Sequence, residues 1–251
     1  MELNLELSVV VLFVGMVLSA ALTFYFSLRI MRATRGSNYG WLFYALFGMA
    51  NSINSVVAVF RATLTDSTAI KTALAIQSIT IFALTFFIVL GVTILAEVFG
   101  VSSKVFSKRN VLVSTGIVLI VLMAFNLSSF SVFSMYSAAT LFLVAGLLLS
   151  FVPLWNIMVA TNRLPWKLLV ISRSISIIAL YMIIAVLGCC AYGGVLEGQP
   201  ECPSIMSGEY MIIPAPCSGS FAELFGPFLM FLLIGTWIQT GAFYSLYRRL
   251  I

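Results

Sequence analysis

Long apolar runs recur along the chain at about 8–30, 40–61, 72–99, 110–129, 132–155, 168–194 and 221–246, and short stretches between them collect the charged and turn-forming residues. A helix crosses a hydrocarbon core with roughly 20 apolar residues, and each run is about that long or longer. The pattern predicts an all-α integral membrane protein, a bundle of about seven transmembrane helices. Residues 1–251 then form a single polytopic membrane domain, with the longest connection at about 195–220.

Composition agrees with this reading. Hydrophobic residues make up 62% of the chain and charged residues 8%, against about 25% charged in a soluble domain. Seven crossings and their short connections use nearly all 251 residues, which leaves no room for a separate soluble domain. The net charge of +5 is not gathered into one basic arm or face, so it reads as a topology signal and not as a nucleic-acid surface.

Lys and Arg accumulate in short loops on the cytoplasmic side. Arg29, Arg32, Arg35, Lys104, Lys108, Arg109, Arg163, Lys167, Arg173, Arg248 and Arg249 fall on one side of the predicted bundle, and only Arg61 and Lys71 on the other. The acids divide the opposite way: Glu97 alone is on the basic side, while Glu2, Glu6, Asp66, Glu197, Glu201, Glu209 and Glu223 are across from it. The N-terminus is therefore expected outside and the C-terminus in the cytoplasm. The residues before the first run are acidic and its positive cluster follows it, so that run is expected to be a retained helix and not a cleaved signal. Trp41, Tyr44, Trp155, Trp166, Tyr244 and Tyr247 fall at predicted cytoplasmic helix ends, where aromatic side chains anchor helices at the interface. The expected location is the cell or plasma membrane, with the 195–220 loop on the oxidising outer side.

That loop holds Cys202 and Cys217, and Cys189 and Cys190 lie at the outer end of the preceding helix. Disulfides form in such a compartment. Bridging the adjacent pair would be strained, which leaves either Cys202 to Cys217 alone or two bridges from the helix end to the loop.

The chain has no histidine, so the commonest metal ligand, haem ligand and general base near neutral pH are all missing. No cofactor or metal motif is present, and none is expected to be bound. A retinal protein needs a lysine in mid-helix, but Lys71, Lys104, Lys108 and Lys167 all flank the apolar runs. A proton-coupled carrier needs an acid near the midplane, and none lies there. An enzyme is not expected.

Polar residues inside apolar runs must face protein or water. Asn51, Asn54, Ser55 and Arg61 lie on one face of the second run, Gln77 on the third, and Glu223 at the outer start of the last. Together they form a candidate outward-facing polar pocket, or else hydrogen bonds that fix packing. Glu97 and Arg173, at similar depth near the inner end, form a candidate ion pair. Gly146 with Ser150, and Ala185 with Cys189 and Gly193, are small-residue seams where helices can approach closely.

Three functions fit this pattern. The first is a non-catalytic structural or accessory subunit of a larger membrane assembly, partnered by the bilayer and by other membrane subunits or copies of itself, and not by nucleic acid. The second is a seven-helix sensor relaying an external ligand to a cytoplasmic partner. The third is a facilitative transporter or pore for a small neutral solute.

Overall fold

The computed structural model describes residues 2–34, 38–63, 67–101, 107, 109–114, 117, 132–196 and 220–250. Among them all regular structure is helical: α1 (Glu2–Ala33), α2 (Gly40–Thr63), α3 (Ser67–Val98), α4 (Val132–Thr161), α5 (Leu164–Leu196) and α6 (Ser220–Arg248). Five stretches are long and apolar enough to cross a bilayer, namely Val11–Ala33, Gly40–Ala58, Lys71–Val98, Ala139–Thr161 and Leu164–Tyr181. The chain is a helical protein suited to a membrane. The run expected at 110–129 lies largely outside the described residues, although its start is visible. Ser107 accepts the amide of Asn110 on its hydroxyl (3.3 Å) and that of Val111 on its carbonyl (3.0 Å), an N-cap for the helical stretch from Arg109.

Most helices run a few residues past the apolar runs, because a backbone ladder continues until a stop signal and not until the hydrocarbon ends. Those signals are local. Asn38 caps α2 by accepting the Gly40 amide on its side-chain oxygen at 3.0 Å. α3 ends in a Schellman turn, with Gly100 at φ +69° and the Val101 amide reaching back to the Ala96 carbonyl at 2.9 Å. α4 ends at Asn162, one of the few residue types that accept φ near +46°, and Pro165 in the first turn of α5 donates no amide there in any case. Pro227 falls about two turns inside α6.

The helices pack as a closed ring in chain order, α1 on α2, α2 on α3, α3 on α4, α4 on α5, α5 on α6, and α6 back on α1. Four neighbour pairs set the directions. Gly48 of α2 meets Phe24 and Ala20 of α1, and Gly40 meets Leu95 and Gly91 of α3, so α2 runs antiparallel to both. Phe142 packs on Phe82 and Gly146 beside Thr85 and Val89, so α4 runs parallel to α3. Phe26 touches Tyr244 and Tyr247, so α6 runs parallel to α1. The Gly146–Ser150 seam is thereby an internal contact with α3, while side chains of the Ala185–Cys189–Gly193 seam lie outside the described residues. α3 is the most enclosed span, 72% buried against 28–44% for the other four.

In lipid, helices associate by close packing of small residues, since the surrounding tails are as apolar as leucine. At Gly48 the α1 and α2 backbones touch: a β-carbon there would stand 2.7 Å from the Phe24 nitrogen and 3.0 Å from the Ala20 oxygen. Neither is a side chain that can rotate away. Gly48→Ala is expected to lower the thermal midpoint in detergent or nanodiscs, by about 1–3 kcal/mol of stability. Gly241→Ala, with nothing within 4 Å of the new carbon, leaves the midpoint in place.

Candidate functional site

Two polar levels occur along α2. Tyr44, Asn51 and Ser55 are spaced seven and four residues apart, which places them on one stripe of the helix. At the level in the second half of α2, Asn51 and Asn54 are half-buried, and Ser55 and, on α3, Gln77 are 4% and 2% exposed. Thr80 of α3 donates its hydroxyl to Asn54 Oδ1 at 3.3 Å or to its own helix at the Gln77 carbonyl, 2.9 Å away. Gln77 Oε1 is buried without a hydrogen-bond partner among the described residues. The structure therefore brings Asn54 to the Gln77–Thr80 turn of α3. The side chains of Arg61, Glu223, Cys189 and Cys190 lie outside the described residues, as do Cys202 and Cys217 altogether.

The other level, near the start of α2, holds Arg173 of α5. Glu97 is exposed in the last turn of α3, whereas Arg173 of α5 is 4% exposed and lies within electrostatic reach of the Tyr44 hydroxyl of α2. Neither Arg173 Nε nor Tyr44 Oη completes a hydrogen bond of ordinary geometry with the described residues. Arg173 sits nine residues into α5, roughly 14 Å from its start. It is therefore a cation placed inside the helix ring, not one snorkelling from a helix end.

Aromatic side chains surround this level. Trp41 packs on Trp166 of α5 (6.0 Å between centroids) and on Phe243 of α6 (5.9 Å), Tyr44 packs on Phe243 (5.1 Å), and Phe99 beyond α3 packs on Trp166 (5.2 Å). Trp41, Tyr44 and Trp166, expected at the membrane interface, are 5%, 0% and 2% exposed. Trp155 and Tyr244, of the same set, are 47% and 49% exposed. The difference is one of helix face: Trp41 and Trp166 sit at helix ends, but on the sides that α2 and α5 turn toward the ring.

A third set of polar groups joins α1, α6 and α5. Thr240 lies 3.1 Å from the Thr23 hydroxyl and donates to the Ser19 carbonyl at 2.9 Å, and Ser172 donates to the Gly235 carbonyl at 2.7 Å. Sequence reasoning did not single out this seam, and it read Tyr44 only as an interface anchor. Single Ser and Thr residues in apolar helices leave no spacing pattern until the partner helix is known.

Chemically, the described interior offers hydroxyls, carboxamides and one guanidinium. Among the described residues no three His, Cys, Asp or Glu side chains come together. Such a set suits recognition and positioning of polar or anionic groups. Comparison of the chain with known protein families, with curated proteins and with solved structures gives no match.

Interhelical hydrogen bonds in membranes average about 0.6 kcal/mol. Thr240→Val removes the two that tie α6 to α1, and is expected to cost about 1 kcal/mol in chemical or thermal unfolding from detergent. Thr161→Val, which removes only a bond to the Ile157 carbonyl within the same helix, serves as the comparison and costs less.

Proposed function

We propose that this chain is a receptor-like membrane bundle. It crosses the bilayer seven times, with its N-terminus outside and its C-terminus in the cytoplasm. A ligand engaging the polar groups of α2 and α3 moves α2, the movement alters the Tyr44–Arg173 contact, and a separate cytoplasmic partner reads the result. The observation that carries this reading is Arg173, a buried cation facing a neutral hydroxyl on the helix that also bears Asn51, Asn54 and Ser55.

Burying an arginine within a membrane helix costs up to about 2.5–3.5 kcal/mol, the value at the helix centre on the lower scale. A helix that served only to fill an assembly would gain nothing from that cost, which is why a relay is favoured over the accessory-subunit reading. One buried charge is sensitive to small displacements, because Coulomb energy in a low-dielectric interior changes steeply with distance. α2 supplies the coupling: the same rigid helix holds Asn54 against α3 and Tyr44 against Arg173.

Seven crossings are supported by the parallel packing of α3 and α4, since the chain has to return to the opposite end of the bundle between them. The orientation rests on the distribution of Lys and Arg.

Two measurements test the proposal. Arg173→Met replaces the cation by an apolar chain of similar length and leaves only a neutral hydroxyl behind. The variant is expected to be more stable than the parent by about 1–3 kcal/mol in thermal unfolding, as at a site kept for function at a cost to stability. A variant that unfolds several degrees earlier marks Arg173 as a packing clasp and ends the relay reading. In native mass spectrometry after gentle extraction, the protein is expected alone or as a homo-oligomer. Stoichiometric integral membrane subunits carried with it would restore the accessory role.

A further inference from the structure

α1 and α6 run parallel, and each turns a stripe of exposed residues toward the same side of their seam. On α1 the stripe is Val14, Leu18, Tyr25, Arg29 and Arg32, at spacings of three, four or seven residues. On α6 it is Trp237, Gly241, Tyr244 and Arg248, at spacings of four and three.

The seam itself fixes the direction of both stripes. Gly15 and Phe26 of α1 face Leu233, Trp237, Tyr244 and Tyr247 of α6, and Thr23 meets Thr240. At 100° per residue the α1 stripe lies to one rotational sense of these contacts and the α6 stripe to the other. In parallel helices, opposite senses lead to the same outer side. The two stripes are therefore the walls of one outward groove with Phe26 at its floor.

The groove is graded along its length. Its outer part is apolar, with Leu18 and Trp237 53% and 43% exposed, and Gly241 leaves a notch between Trp237 and Tyr244, where a β-carbon would have nothing within 4 Å. Its inner end has tyrosine hydroxyls and then guanidiniums. Arg29 donates from Nε to the Tyr25 hydroxyl at 3.1 Å with its guanidinium 5.3 Å from the ring centre, and Tyr247 lies within electrostatic reach of the same cation. Arg32, Arg248 and Arg249 are exposed at the same end. The acids of α1 and α6, namely Glu2, Glu6 and Glu223, lie in the opposite halves of these helices, and the nearest inner acid, Glu97, is on α3, which packs on α2 and α4.

We propose that this groove binds one anionic phospholipid, with an acyl chain along the apolar walls and over Gly241, and the phosphate held by Arg29, Arg32 and Arg248. An arginine fork matches phosphate oxygens two at a time, and the tyrosines sit at the depth where amphipathic rings meet headgroups. A lipid is the occupant because the charge continues an apolar groove open to the side. A soluble anion would find only the guanidiniums.

The test is native mass spectrometry of the whole protein, delipidated in a neutral detergent and titrated with phosphatidylglycerol or phosphatidylcholine. One phosphatidylglycerol is expected to remain per chain, saturably, with phosphatidylcholine released. At about 1 kcal/mol per cation near the surface, the double change Arg29→Gln with Arg248→Gln weakens retention roughly thirtyfold. Gly241→Leu fills the notch without altering charge and is expected to weaken retention too, although a generic basic surface would not register it. Thermal midpoints in lipid-free detergent identify variants that fold like the parent, and retention is read on those. Unsaturable binding, equal retention of the two lipids, or retention indifferent to both variants would overturn the proposal. So would competition by glycerol phosphate at the concentrations that suffice for the lipid, since the acyl groove would then contribute nothing.

Discussion

Hydrocarbon supplies no hydrogen bonds, so each polar group placed in it must find a partner within the protein. Helices meet this demand for their own backbones, and the ring of six described helices then meets it for side chains by turning them inward. Ser19, Thr23, Ser172 and Thr240 do this locally, returning their hydroxyls to backbone carbonyls or to one another. Many exposed positions along the helices carry Leu, Ile, Val and aromatic residues.

The same demand makes the exceptions informative. Tyr44, Gln77, Arg173 and Ser27 each keep a buried polar atom without a hydrogen-bond partner among the described residues. Three of the four lie on α2, on its neighbour α3, or on α5 opposite Tyr44. A fold under pressure only to pack would replace such groups with apolar ones at little cost.

Close approach does the remaining work. Gly48 lets α1 and α2 touch backbone to backbone, and Gly40 and Gly91 do the same for α2 and α3, each standing close to the other's carbonyl oxygen. α2 is thus held tightly on both sides while its inner stripe faces the aromatic cluster. A helix gripped along its length moves as a rigid piece, which suits transmission from one end of the bundle to the other.

Much of the architecture was legible in the residues. Helix number and rough extent for the described spans follow from the length of the apolar runs, because a fixed hydrocarbon thickness sets a minimum helix length. Asn38, Gly100 and Asn162 mark helix boundaries through local backbone geometry, which needs no partner helix. The polar positions Asn54 and Gln77 were legible for the same reason: a polar group in an apolar run must face inward. What each one meets was decided only in three dimensions. Arg173 stood out by depth and charge, but depth carries no rotational information, and only the face that α5 presents puts the guanidinium near Tyr44. Likewise Trp41 and Trp166 sit where interface anchors sit, but helix rotation turns them into the core. The sequence by itself determined that this chain builds helices for a membrane and how deep each polar group lies. The tertiary structure decided which faces meet, because rotation about a helix axis is set by the fit of neighbouring helices and leaves no trace in one helix read alone.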